Sequence, residues 1–194
     1  MKSIKSRADS FFGIHSDFHT RPREGISVGE NLKEEDIRLL CETLHPDYFQ
    51  IDCKGHPGWT SYPTELGNAV PGIKEDIVAM WRKVTKEYGI GLYLHYSGLY
   101  EIKYCNEHEE DRVLTSKGAL YHYARADSNY ADNMILPQIS ELVEKYDIDG
   151  IWMDGDCWAM HMDYHPETIA KFEKRTGIDL QGNPPRQFGD KYYD

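Results

Sequence analysis

The sequence predicts an α/β fold of the (β/α)8 TIM-barrel type, with the chain covering about the N-terminal four βα units, and three observations carry that expectation. Short apolar stretches alternate with amphipathic helical periodicity, the order that builds a parallel sheet with helices packed on it. Each apolar stretch divides by parity into an apolar side and a polar side, as a strand's alternating side chains require. The polar side becomes ionisable toward the C-terminal end of every stretch, where barrels and open α/β sheets keep their chemistry. An eightfold barrel typically needs ~250 residues. A chain of 194 residues therefore reads as a partial barrel, one catalytic domain over 1–194, with a compact four-stranded α/β domain as the alternative.

The first strand covers 11–19, with Phe12 and Ile14 on the apolar side and Gly13, His15, Asp17 and His19 on the other. The first helix begins near Lys33 with Asn31 as a candidate cap, and Ile37, Leu40, Cys41 and Leu44 recur at helical spacing until Pro46 stops it. The second strand, 48–56, sets Phe49, Ile51 and Cys53 against Gln50, Asp52, Lys54 and His56. A loop rich in Gly, Pro, Thr and Asn leads into a second helix over 73–88. Its buried face is Ile77, Met80, Trp81 and Val84, and Gly89 closes it. In the third strand, 90–97, Ile90, Leu92 and Leu94 oppose Gly91, Tyr93, His95 and Ser97.

Residues 98–129 are long and polar, and a stretch of that length marks a functional loop or an inserted subdomain. The acidic run at 107–111 within it is expected to be a solvated face. A third helix spans 131–146, a fourth strand 148–156, and a fourth helix 166–175 closed by Gly177; the tail over 179–194 reads as a connector. His161, Asp163 and His165 have metal-ligand spacing but stand before a helix, where capping and surface roles are the simpler reading.

Composition narrows the partners. A formal net charge of -11 argues against nucleic acid and anionic membrane. No run of 18 apolar residues exists to span a bilayer, and the first ten residues lack the apolar stretch of a signal peptide. Cys41, Cys53, Cys105 and Cys157 form no C-x-x-C pair, which predicts free thiols and a cytoplasmic location. Fourteen tyrosines and four tryptophans fit either sugar-stacking surfaces or a large aromatic core.

The fourth strand concentrates the chemistry. Ile151 and Met153 lie on one side; Ile148, Gly150, Trp152, Asp154 and Asp156 lie on the other, so two carboxylates end the strand beyond a tryptophan. Polar groups buried without partners cost roughly 1–3 kcal/mol each, so four strands that all become ionisable on the same side point to one wet, functional pocket.

Four motifs in order also carry a resemblance. Phe12-Gly13-Ile14-His15 resembles the first strand of the family 29 glycoside hydrolases, the α-L-fucosidases. Lys54-Gly55-His56-Pro57-Gly58-Trp59 resembles their Lys-His-His-Asp-Gly-Phe motif, and Gly91-Leu92-Tyr93-Leu94-His95-Tyr96-Ser97 their third strand. Asp149-Gly150-Ile151-Trp152-Met153-Asp154-Gly155 resembles the segment that carries their nucleophile. The chain is also similar to the barrels called hypothetical glycosyl hydrolase 6. The resemblance implies retaining hydrolysis of a glycoside with Asp154 as nucleophile. It implies substrate contacts from His15, Asp17, Lys54, His56, Trp59, His95, Tyr96 and Trp152, and no metal or cofactor. Ser16 stands where the family has tryptophan, and Gly55 where it has the first of two histidines. The acid that protonates the leaving group is left to Asp156, Glu101 or, in preference, a residue beyond position 194.

Two other classes stay open on the residues alone. His15, Asp17 and His19 with His56, His95 and Asp154 form the donor set of a metal-dependent barrel hydrolase. A half barrel that exposes its strand edges fits a non-catalytic carbohydrate-binding fragment prone to self-association.

Overall fold

The computed structural model describes residues 4–154 and 162–182. Its centre is a four-stranded parallel sheet in the order β1 (Gly13–Ser16), β2 (Tyr48–Lys54), β3 (Gly91–Ser97) and β6 (Gly150–Asp154). Helices α1 (Glu34–Leu44), α2 (Ile77–Tyr88) and α4 (Leu136–Tyr146) make the crossovers. This is the predicted partial-barrel α/β architecture, with β1 five residues, β2 two and β3 one residue shorter than their apolar stretches suggested, and β6 beginning two residues later. Among the described residues no helix is long and apolar enough to cross a membrane.

The core lies between the sheet and the helices. Ile37 and Cys41 from α1 meet Phe49, Ile51 and Cys53 from β2. Val78, Trp81 and Val84 from α2 and Leu142 from α4 cover Leu92 and Leu94 of β3. Each such buried aliphatic or aromatic side chain contributes about 1.5–3 kcal/mol relative to exposure. The helix ends follow local chemistry. At α1 the Asp36 carboxylate accepts from the Lys33 N–H, so the cap lies at Lys33 rather than Asn31. At α2 the Asp76 side chain accepts from the Ala79 N–H, which starts the helix at Ile77, later than the periodicity suggested. Gly89 and Gly177 close α2 and α5 (Pro166–Thr176) in the left-handed conformation, as expected. Cys41, Cys53 and Cys105 are free and buried; Cys157 lies outside the described residues.

The opposite side of the sheet is the barrel interior. Its lowest layer is aromatic: Tyr48 and Tyr93 pack edge-on, ring centroids 5.3 Å apart. Gly13 and Gly150 flank them because a Cβ there would meet the Tyr48 and Tyr93 rings at 2.0 and 2.7 Å. Asp149, just before β6, takes the Leu92 N–H and an Arg82 N–H at 2.7 and 2.6 Å, tying α2 to the β3–β6 edge.

Residues 98–130 form the inserted subdomain allowed for by their length. It contains α3 (Ile102–Glu107), a single 3-10 turn (Glu109–Asp111) and the antiparallel hairpin β4 (Arg112–Leu114) and β5 (Leu120–Ala124). Tyr104, Cys105, Ala124 and Tyr130 make its own small core. The acidic run is not wholly a solvated face: Glu109 and Glu110 are exposed, but Asp111 is buried and accepts the Tyr104 hydroxyl at 2.6 Å. Asp163 and His165 behave as caps. Asp163 accepts from the Leu114 and His165 N–H groups, and His165 Nδ1 accepts from the Glu167 N–H. His161 lies outside the described residues, as do Asp156 and most of the tail.

One irregularity decides which side chains reach the interior. Along β2 and β3 the register runs Asp52 to His95 and then Lys54 to Tyr96, so Cys53 is an extra residue, a β-bulge. The bulge turns Lys54 away from the barrel interior. Its side chain is 0% exposed, its ammonium donates to Tyr130 Oη at 2.7 Å, and it lies 4.3 Å from the centre of the Tyr96 ring. Tyr96 is likewise buried on the helix side, its hydroxyl donating to Gln138 at 2.7 Å. Both were expected to contact substrate, and both belong instead to the packing behind the sheet.

Burial lowers the Lys54 pKa to about 8. An unfolded lysine titrates near 10.4, so below pH 8 both states hold the proton and the full burial penalty applies. Between pH 8 and 10.4 only the unfolded state holds it, and the penalty is relieved as pH rises. The buried thiols, with pKa values pushed up by burial, act in the opposite direction, so the difference from a variant isolates the lysine. Relative to Lys54→Met, the parent protein should gain stability by up to about 3 kcal/mol as pH rises through that window. Urea denaturation of both proteins at neutral and at alkaline pH measures it, and a pH-independent difference would show the ammonium to be ordinary.

Candidate active site

The C-terminal tips of the four strands and the loops that follow them converge on His95. The alternation of β3 points it inward between Tyr93 below and Ser97 above, and its side chain is 0% exposed. Its Nε2 lies 3.0 Å from Asp154 Oδ2, and its Nδ1 lies 3.0 Å from Asp52 Oδ1 and 3.5 Å from Asp17 Oδ1. One imidazole thus stands among carboxylates from three other segments: the loop after β1, the bulge of β2 and the end of β6.

Burial works to lower the His95 pKa, but Asp52 and Asp154 on its two nitrogens outweigh it and the pKa is raised. Asp52 is shifted upward by its own burial, against which the nearby His95 acts. A protonated His95 donates toward Asp154 and favours the ionised carboxylate there.

His56 approaches the same carboxylate from the loop after β2, its Nε2 3.5 Å from Asp154 Oδ2. Its Nδ1 lies 2.6 Å from Ser97 Oγ, and the Ser97 hydroxyl donates its one proton to the Tyr100 carbonyl at 2.6 Å. The serine can therefore only accept from His56, which fixes the proton on Nδ1 and leaves an Nε2 lone pair facing the pocket when the ring is neutral. Burial, with His19 second, lowers the His56 pKa and favours that neutral form. The two histidines beside Asp154 are thus biased toward opposite protonation states.

Aromatic surface closes the hollow. Trp152, 43% exposed, stands edge-on to His15 with ring centroids 5.0 Å apart and lies 4.9 Å from His95. Tyr100, from the inserted subdomain, covers His56 at 4.5 Å and stacks on Tyr123 at 4.6 Å. Gln50 Nε2 lies 3.0 Å from His15 Nδ1 and fixes that ring.

Of the residues expected here, His15, Asp17, His56, His95, Trp152 and Asp154 come together. Lys54 and Tyr96 do not, for the reason given by the bulge. Trp59 stands under the Lys103 ammonium, 5.0 Å from its ring centre, and has no contact with the imidazole cluster among the described interactions. Glu101, considered as an acid, is 1% exposed and caps α3 by accepting from the Tyr104 N–H. Asp52 was missing from the expected site, although its inward parity on β2 was readable. His19 was placed only in the metal alternative. It packs 4.5 Å from His56 and against Gly55, where an added Cβ would lie 2.7 Å from its Cγ. The space beside His56 is thus filled from the first strand's loop, which explains how position 55 dispenses with a side chain.

Fold and site together define a (β/α)-barrel half with an acid–imidazole cluster at the C-terminal ends of its strands. The family model for alpha-L-fucosidase matches residues 46–181, and the chain belongs to that family. Among solved structures, alpha-L-fucosidase isoenzyme 2 from Paenibacillus thiaminolyticus superposes with a TM-score of 0.72 at 24% identity, covering 89% of this chain and 27% of that one. An alpha-L-fucosidase from Vibrio sp. strain EJY3 superposes at 0.51 with 19% identity, over 80% and 26% of the two chains. A hypothetical protein from Ruminiclostridium thermocellum ATCC 27405 superposes at 0.55 with 16% identity, over 66% and 72%. At these identities the likeness speaks for the fold. The chain spans about a quarter of the length of the two fucosidases. Comparison with curated protein sequences finds no match.

If the Asp52–His95 contact holds the site together, removing one partner should cost more than removing both. Breaking a buried pair on one side costs about 3–5 kcal/mol, whereas apolar replacement of both is often near neutral. His95→Leu should therefore lower urea stability by about 3 kcal/mol, and Asp52→Leu/His95→Leu should recover most of it. Additive losses in the double variant would show the two side chains to be independent.

Proposed function

We propose that this chain carries the nucleophile half of a retaining glycoside hydrolase acting on α-L-fucosides, with Asp154 as the nucleophile. The observation that carries the reading is the setting of Asp154 at the tip of β6, with His95 Nε2 3.0 Å from one carboxylate oxygen beneath an exposed tryptophan. Family membership supports the substrate class.

In a retaining reaction a carboxylate attacks the anomeric carbon as the aglycone oxygen leaves with the bonding pair, and water later releases the sugar from the covalent ester. Asp154 must be ionised and correctly aimed for the first step. His95 serves both needs by donating its Nε2–H to Oδ2. His56 Nε2 accepts from a sugar hydroxyl, and His15 and Asp17 line the pocket within reach of others. Trp152 and Tyr100 offer aromatic faces to the apolar face of a pyranose.

An aryl fucoside with a good leaving group needs little protonation, so its cleavage reports on the nucleophile. The chain is expected to hydrolyse 4-nitrophenyl α-L-fucoside, with Asp154→Asn slower by about a thousandfold or more. A 5-fluoro-fucosyl fluoride should add one sugar mass to the peptide containing Asp154. Labelling of another residue, or an unchanged rate in Asp154→Asn, would overturn the assignment.

A further inference from the structure

Asp17, His19, Asp52 and His95 each bring one ligating atom within 4.8 Å of the other three. The Asp17 Oδ1 to His19 Nε2 separation is 3.0 Å, Asp17 Oδ1 to His95 Nδ1 is 3.5 Å, and His95 Nδ1 to Asp52 Oδ1 is 3.0 Å. With zinc bonds of about 2.0–2.2 Å, the donor atoms of a tetrahedron lie about 3.3–3.6 Å apart. One of the three separations falls within that range and the other two are about 0.3 Å shorter. Asp17, whose side chain is 54% exposed, has room to adjust the rest.

A second observation points to a ligand. The Asp52 side chain is 0% exposed, yet neither of its oxygens accepts a hydrogen bond, and His95 Nδ1, also buried, makes none. The two atoms are close but off the axis that a hydrogen bond between them requires. Both atoms belong to the group of four ligating atoms that lie within 4.8 Å of one another. Leaving such groups without a partner is costly, and a cation between them satisfies both.

We propose that Asp17, His19, Asp52 and His95 form a binding site for one divalent transition-metal ion, with zinc the best match to two imidazoles and two carboxylates. The remaining nitrogen of His95 faces Asp154 at 3.0 Å, the carboxylate–histidine–metal arrangement that orients a ligating imidazole. Metal on Nδ1 commits Nε2–H to Asp154, so the ion would hold the carboxylate's partner in one tautomer. His19 also lies within 4.8 Å of donors from His56 and Asp154, but that group has no wholly buried, unsatisfied carboxylate and carries no site of its own.

The test is calorimetric titration of the chelator-treated full chain with zinc chloride, with cobalt(II) as the visible-absorption probe of a four-coordinate site. The expected result is one ion per chain. Asp52→Asn and Asp17→Asn should each weaken binding by about a hundredfold, and Asp154→Asn by about tenfold. Asp17 is half-exposed, so its variant keeps the test decisive if Asp52→Asn fails to fold by circular dichroism. Absence of stoichiometric binding, or binding unchanged by Asp17→Asn, would overturn the site. Metal uptake is read without any sugar, so its outcome is separate from that of the fucosidase assignment.

Discussion

The arrangement depends on one constraint: His95 is buried with a carboxylate at each of its nitrogens, and none of the three groups is tolerable there alone. A lone ionised Asp52 in that position would be forced toward its neutral form, and a lone imidazole would lose its proton. Together they keep opposite charges in contact out of water. That requirement places β2, β3 and β6 in register at their C-terminal ends, because His95 pairs with Asp52 on one side and with Trp152 on the other. Sheet register and site electrostatics are thus the same fact seen from two directions.

How far the sequence disclosed this can be argued from single residues. Strict alternation placed His15, Asp52, His95, Trp152 and Asp154 on one side of the sheet, and the structure agrees. Alternation fails where the chain breaks its period. The extra residue at Cys53 sends Lys54 to the helix side, and no propensity in Asp-Cys-Lys announces a bulge. Tyr96 is a different case. Its own parity put it with Leu92 and Leu94 in the core, and only the resemblance of the surrounding motif suggested a substrate contact. Where the two arguments conflicted, the physical one was correct.

Other parts were unreadable because they rest on contacts between distant segments. Asp36 is an ordinary helix acid until its carboxylate turns back to the Lys33 N–H. The place of His19 beside His56 depends on Gly55 being bare, a relation across 36 positions that neither local stretch contains. The aromatic count was ambiguous between core and surface, and the molecule uses both: Tyr62, Tyr96 and Tyr130 are wholly buried, while Trp152 opens to solvent.

The bulge also explains why the second strand can bury charges of both signs two residues apart. Asp52 faces the barrel interior and is answered by His95; Lys54 faces away and is answered by the Tyr130 hydroxyl, the Tyr96 ring and the field of Glu101. Tyr130 closes the inserted subdomain, so the lysine's hydrogen bond ties that end of the segment to the sheet. At the other end of the segment Ile102 donates its N–H to the His56 carbonyl at 2.9 Å, and Tyr100 is held over the His56 ring. Ser97 then accepts from His56 and donates to the Tyr100 carbonyl, which sets the histidine's tautomer. The inserted subdomain therefore determines which nitrogen of His56 faces Asp154. It does so by holding Tyr100 where its carbonyl takes the Ser97 proton.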